Sequence, residues 1–412
     1  MSLLNQCVIL ILLVFLACQK DNSNVVVPIE IPLASQHSGE PNLIVTENEE
    51  VFFSWIESLN DSVSELRFSV LEKDSWSQPR TIAQGDNWFV NWADFPSLVS
   101  FGGDNQNLAA HWLQKSAEGT YDYDVRISQS ADGGKTWGGS FMPHTDGVAA
   151  EHGFVSLMPW TEKKMFVAWL DGRNTKEEPV TQQEHDHGHG HGAAMTLRAA
   201  MFDQSGILSD EVELDEMVCD CCQTAATKTE NGILVAYRDR SESEVRDISV
   251  VRWDGDTWSE PKAVANDNWW IPGCPVNGPA VDSQKGDVVI AWFTMSGENP
   301  LIKISFSDNE GKTFAKPIIV DSSDPIGRVD VIMLEKNLAL VSWMDIGDKR
   351  TLFKARTVSA TGQLGEEKII AEMDPARASG FPRMVLAHGK LIFAWTEIAE
   401  SNHVKTVQLP LF

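Results

Sequence analysis

The sequence predicts an all-β protein, a β-propeller built from four-stranded blades. Three observations predict it: an aromatic anchor that recurs seven times, period-2 alternation around each anchor, and no long segment of helical period. The anchors read FFSWIE at Trp55, AAHWLQ at Trp112, FVAWLD at Trp169, LVAYRD at Tyr237, VIAWFT at Trp292, LVSWMD at Trp343 and IFAWTE at Trp395. Their spacings are 57, 57, 68, 55, 51 and 52 residues. A unit of about 55 residues holds four short strands, and such units repeated radially close into a propeller. Seven blades are expected, six if one anchor is decorative.

Each anchor follows a short strand and turn, as in NLIVTENEE before Trp55 or RMVLAHGK before Trp395. Most are followed by an alternating run such as LRFSVLE, YDVRISQ, DISVVRW or IKISFSD. These are strands one, two and three of a blade. The last repeat stops at Phe412 after about three strands, and an additional strand-like segment, 25–31, precedes the first repeat. That segment is expected to complete the last blade, which removes the exposed sheet edges.

Composition narrows the function. Acidic residues number 59 against 33 basic ones, a formal charge of −26. A chain this acidic has no basic surface to track a nucleic-acid backbone, so no nucleic-acid partner is expected. With 42% hydrophobic residues, 15 Trp and 18 Phe it buries a sizeable core and is not disordered.

Residues 8–17 form an unbroken apolar run of ten ending at Cys18, the length of a signal-peptide core and too short to span a bilayer. Phe15-Leu16-Ala17-Cys18 resembles the lipobox of bacterial lipoproteins, in which the cysteine is lipidated. The resemblance implies a signal peptide over 1–17, a lipidated linker over 18–24 beginning at Cys18, and one propeller domain over 25–412. It places the chain in the bacterial periplasm or outer membrane, held to the membrane through its lipid anchor only. A monomer is expected.

SADGGKTW at 130–137 and SDNEGKTF at 307–314 match the pattern S-x-D-x-G-x-T-W, the second with Asn309 at the acidic position. WDGDTW at 253–258 is a degenerate relative. On these motifs the chain resembles the sialidase superfamily of Asp-box, or BNR-repeat, propellers. The resemblance implies that the motif is a structural turn on the face opposite the active site, so it argues for fold and not for catalysis. A sialidase also requires three arginines gripping a carboxylate, a Tyr nucleophile paired with Glu, and an Asp acid. The family's F/Y-R-I-P string does not occur here. Only Tyr121, Tyr123 and Tyr237 are present, none in the C-terminal third where the nucleophile is expected.

In a propeller, the residues just before each innermost strand and just after each anchor share one face. The first set includes Asp94, Glu151, His152, Cys221, Cys222, Asn277, Arg328, Asp330 and Arg383. The second includes Asp171, Arg173, Arg238, Asp239, Arg240, Arg246, Asp247 and Asp345. His152, Asp171, Arg173, Arg246 and Asn277 are candidate ligand-binding residues, and Arg238, Arg328, Arg383, Asp330 and Asp239 candidate catalytic ones.

Cys219, Cys221 and Cys222 form CDCC before the fourth repeat, and Cys274 lies before the fifth. Two readings are open: disulfides that pin the rim, with Cys274 joined to one of the three, or a thiolate site for Cu or Zn. EHDHGHGHG adds His185, His187, His189 and His191 inside the one interval stretched to 68 residues, on the same face. Such a tract binds metal ions or is a solvated loop.

Three functions are therefore expected in turn. The first is an exported module that binds a metal ion, a small molecule or a glycan through its Cys/His/Arg face. An exo-sialidase-type glycoside hydrolase is the alternative, and a structural or protein-docking propeller with disulfides the third.

Overall fold

The computed structural model describes residues 27–29, 37–103, 105–176, 194–346 and 351–412. Their strands form seven antiparallel ladders. Blade one comprises Ser38–Val45, Val51–Ser58, Ser64–Glu72 and Arg80–Gly85. Blade two comprises Ser97–Phe101, Asn107–Lys115 and Tyr123–Ser130, with Phe141 bridging to Ile127 in the fourth position. Blade three runs His152–Pro159, Lys164–Asp171, Met195–Asp203 and Leu208–Val218. Blade four runs Ala225–Lys228, Ile233–Arg238, Ile248–Trp253 and Lys262–Ala263. Blade five is Ala280–Gln284, Asp287–Thr294, Leu301–Ser307 and Ile318–Asp321. Blade six is Pro325–Glu335, Leu338–Asp345, Thr351–Ser359 and Lys368–Met373. The seven-bladed propeller predicted from the anchors is the observed fold.

The N-terminal strand closes the ring. Val27–Pro28 pairs with His403–Pro410, beside Lys390–Glu397 and Arg383–Ala387, so the seventh blade draws its outermost strand from the start of the chain. Ile29 is buried, and its carbonyl accepts the Thr406 hydroxyl at 2.8 Å.

All seven anchors lie on second strands and are buried. A buried indole N–H needs an acceptor, and most of these find a carboxylate. Trp55 donates to Glu57, Trp169 to Asp171, Trp292 to Asp267 and Trp343 to Asp321, at 2.6–3.2 Å. The Tyr237 hydroxyl donates to Asp215 at 2.5 Å. Part of the acidic excess thus serves to seat the anchors.

The 130–137 turn shows why its residue types are needed. Asp132 accepts the Lys135 and Thr136 amides at 3.0 and 2.9 Å and the Thr136 hydroxyl at 2.6 Å, which holds its carboxyl well below the usual range. Gly134 has φ +78°, and a Cβ there would lie 2.4 Å from the Phe68 ring. Ser307, Asn309 and Thr313 repeat the network in blade five. Tyr123 opens the strand that Ser130 closes, so this turn and Tyr123 stand at opposite ends of blade two.

Candidate functional site

The innermost strands of blades one, three and six begin with the same irregularity. Glu40, Phe154 and Arg328 take φ of 53–55°, and the register shifts beside each. A non-glycine residue in this region is strained, and hydrogen bonds must hold it there. Phe154 N–H donates to Asp94 Oδ1 at 2.7 Å, and Arg328 N–H donates to Asn277 Oδ1 at 2.8 Å. Two residues expected at the rim, Asp94 and Asn277, are therefore fastened to the innermost strand of the next blade.

Asp94 has a second bond. Tyr123 Oη lies 2.9 Å from Asp94 Oδ2 and 2.8 Å from Glu151 Oε1. A phenol carries one proton and can donate to only one of the two carboxyls, so the other contact requires a protonated carboxyl as donor. Burial raises Asp94 to about 7 and Glu151 to about 8, and it lifts the Tyr123 phenol well above its ordinary value. The two contacts are satisfied together when one carboxyl carries a proton and donates it to Tyr123, which donates in turn to the other. The Tyr123 ring is fixed by stacking on Phe89 at 4.0 Å.

These three groups line a cavity of about 250 Å³ walled by Phe89, Trp92, Tyr121 and Arg377 and by the disulfide between Cys221 and Cys274. Tyr121 is exposed at its edge. A second cavity of about 160 Å³ shares Asp94 and Phe154 and is lined by innermost-strand residues including Ser156, Ala225 and Arg383. The first is at the channel mouth and the second follows the channel.

The candidate catalytic arginines do not form a carboxylate clamp. Arg238 is buried and gives all its hydrogen bonds to backbone, to the carbonyls of Asn277, Arg246 and Phe293 at 2.6–2.8 Å. Arg328 donates to the Gly380 and Ala376 carbonyls and stacks over Trp92. Both tie neighbouring blades together, which corrects their assignment to catalysis. Arg383 does line the channel, over the Phe95 ring. Asp330 accepts the Val331 and Met384 amides, and Asp239 accepts the Arg240 amide and the Ser249 hydroxyl. Asn277 holds the Arg328 and Ile326 backbone, and Arg246 pairs with Glu244 at 2.8 Å.

The cysteines are divided. Cys221 and Cys274 are joined, so two of the four expected thiolate ligands are unavailable and the rim-disulfide reading holds for this pair. Cys219 and Cys222 are free and buried. Burial alone would raise the Cys219 thiol, but the Cys222 thiol and the Arg246 guanidinium pull it down to about 7. His185, His187, His189 and His191, and Cys18, lie outside the described residues.

His152, Asp171 and Arg173 do come together. Arg173 grips Asp171 at 2.8 and 2.7 Å, and Asp171 Oδ1 is 3.6 Å from His152 Nε2. The His152 ring stacks on His144 with centroids 3.8 Å apart. His144 was not singled out from the sequence. Nor was Tyr123, since the resemblance directed attention to the C-terminal third.

Fold and site together define a seven-bladed propeller with a carboxyl–phenol–carboxyl chain at its channel mouth. No protein-family model matches the sequence, and no curated protein is similar to it. Among solved structures it resembles the polysaccharide lyase Uly1 with a TM-score of 0.53 at 9% identity, covering 90% of this chain and 89% of that one. The phage phi92 endosialidase gives 0.52 at 7% identity, over 95% and 69% of the two chains. A Dyadobacter fermentans protein of unknown function gives 0.51 at 16% identity, over 94% and 98%. These likenesses show the propeller fold.

Proposed function

We propose that the protein cleaves a glycan at the channel mouth, with Glu151, Tyr123 and Asp94 as its acid–base apparatus. One observation carries the reading: a single hydroxyl bridges the buried Asp94 carboxyl and the half-buried Glu151 carboxyl, so one of them holds a proton near neutral pH. Glu151 donates that proton to the glycosidic oxygen of the leaving group while a water molecule attacks the anomeric carbon and gives its proton to the Asp94 carboxylate, and Tyr123 then relays a proton from Asp94 to Glu151 to reset the acid. Tyr121, exposed at the cavity's edge, offers a flat apolar face to a sugar ring, and Arg377 a charge for an acidic one. The residue types match the Tyr, Glu and Asp that the sialidase resemblance requires, while the three-arginine clamp is not assembled. A glycoside hydrolase-type reaction is therefore favoured over a sialidase in the strict sense. The enzyme works as an exported, lipid-anchored protein, a location in which the Cys221–Cys274 disulfide is stable.

The test is turnover of a panel of fluorogenic glycosides, a sialoside among them, and of acidic polysaccharides. Cleavage of at least one by the parent, abolished in Glu151→Gln, supports the reading. No turnover across the panel, or equal turnover by the variant, overturns it.

A second reading, soft-metal capture, is favoured by the Cys219, Cys221 and Cys222 sulfurs lying within 4.8 Å of one another. Reduction of the disulfide would free Cys221 and assemble three thiolates for Cu(I) or Zn. Copper uptake only in reduced protein, lost in Cys219→Ser, distinguishes this reading from the first.

A further inference from the structure

Tyr123 and Glu151 are each followed by a residue that faces the other way, because successive side chains of a strand alternate. Those residues are Asp124 and His152, and they form a second cluster behind the acid–base chain. His152 is fully buried, and its ring lies parallel to that of His144, tilted by 6°. Each edge of this two-ring stack presents one nitrogen from each histidine.

One edge meets carboxylates. Asp146 Oδ2 is 3.2 Å from His144 Nδ1 and 3.3 Å from His152 Nε2, with Asp171 Oδ1 3.6 Å from the latter. Only His144 Nδ1 has a hydrogen-bond partner on that edge, Asp146; His152 Nε2 faces two carboxylates without bonding to either. Protons on these two nitrogens leave the lone pairs on the other edge. His144 Nε2 and His152 Nδ1, on that other edge, are buried and have no hydrogen-bond partner. Facing them is Asp124 Oδ1, 3.9 Å and 3.6 Å away. The three donor atoms lie within 4.8 Å of one another. Two orphaned imidazole nitrogens converging on a carboxylate are costly unless something fills the space between them.

We propose that Asp124, His144 and His152 form a site for a divalent first-row metal ion, Zn2+ above all, with Asp146 and Asp171 orienting the two imidazoles from behind. Ligand atoms around a tetrahedral zinc with bonds of 2.0–2.1 Å are about 3.4 Å apart, so the gaps to Asp124 close with shifts of a few tenths of an ångström, while the two parallel rings must swing apart on binding to aim both lone pairs at one ion. A carboxylate behind each ligating histidine fixes its tautomer and raises its basicity. Arg173 neutralises part of that outer charge, through Asp171 at 2.7 Å and Asp146 at 3.4 Å. Asp124 is the partly exposed member, so the fourth coordination position opens towards solvent. This site shares no residue with the cysteine cluster or with the 185–191 tract.

The experiment is Co2+ titration of untagged protein in which His185, His187, His189 and His191 are replaced by Asn. The expected result is one equivalent bound, with tetrahedral d–d absorption and no thiolate-to-cobalt charge-transfer band. Affinity falls at least 100-fold in Asp124→Asn, whose side chain is exposed enough not to endanger folding, and 10–100-fold in Asp146→Asn. Zn2+ raises the melting temperature of the parent and not of Asp124→Asn. No uptake by the parent, uptake that survives Asp124→Asn, or a thiolate band each overturns the site. The cluster is then a buried ion-pair hub centred on a protonated His152.

Discussion

Tyr123 and Glu151 meet twice. Their backbones form an isolated parallel bridge between blades two and three, and their side chains meet at 2.8 Å. The bridge ties the phenol and the carboxyl to one backbone frame, so the proton chain to Asp94 is preorganised by the scaffold rather than by flexible loops. Tyr123→Phe removes the bridging hydroxyl and leaves the ring on Phe89. The expected outcome is a loss of about 100-fold or more in kcat on any glycan the parent cleaves. The fold should lose no more than about 2 kcal/mol, read from urea unfolding. Unchanged kcat would remove Tyr123 from the mechanism.

Asp94 makes stability depend on pH. Its folded value of about 7 lies above the ordinary 3.8, so folding favours the protonated form. That contribution is complete below about pH 4 and is lost as pH rises through 7, at roughly 1.4 kcal/mol for each pH step between the two values. Asp282, raised to about 6 by burial, acts in the same direction. The melting temperature should therefore fall between pH 5 and pH 8. Asp94→Asn should flatten the slope, because an amide can accept from Phe154 N–H and donate to Tyr123 at any pH. A slope unchanged in this variant would assign the effect to other groups.

The blades were legible because burying an aromatic in the second strand of each blade leaves a periodic mark, and seven such marks sum to a ring. The rim was half legible. Asp94, Glu151, His152, Asp171 and Arg173 follow from strand order alone, whereas Tyr123 and His144 do not. Tyr123 begins a third strand, a position the rim rule does not select. His144 sits in the connection between blades two and three, where no periodicity applies. The arginines misled for a physical reason. Strand ends in a strained inner ring leave carbonyls to satisfy, and Arg238 and Arg328 reach several at once.

The Cys221–Cys274 disulfide closes a loop of sequence separation 53. A crosslink over that span restricts the unfolded chain, so Cys274→Ser should lower stability by roughly 2–4 kcal/mol. It should also loosen the wall of the cavity, raising KM on a cleaved glycan more than it lowers kcat. Calorimetry and steady-state kinetics of one preparation read both. Equal melting temperatures for parent and variant would show that the rim is held by other contacts.

Gly134 was chosen by space as well as by φ. A methyl group there meets the Phe68 ring at 2.4 Å, and φ +78° is unfavourable for any other residue. Gly134→Ala should cost about 1–3 kcal/mol through both effects. The turn lies at the far end of blade two from Tyr123, so catalysis by the folded fraction should be unaffected. A drop in kcat without a drop in melting temperature would contradict the separation of the two ends.

Ring closure rests on a very short strand. Val27–Pro28 adds only two ladder positions, against Gln408 and Val407, but Ile29 carries the contact into the core between blades seven and one. Thr406 is the hub. Its hydroxyl donates to the Ile29 carbonyl and accepts the Trp76 indole N–H, each at 2.8 Å, so the N-terminal strand, the last strand and blade one share one group. Ile29→Ala removes a buried branched side chain and should cost about 2–4 kcal/mol. Removing residues 1–29 should do more, because it exposes His403–Pro410 as an unpaired edge able to pair with another chain. The expected outcome is concentration-dependent association on size-exclusion chromatography, absent in Ile29→Ala. A truncated protein that stays monomeric with its melting temperature intact would show that the ring is closed by the packing of blade on blade, without the N-terminal strand.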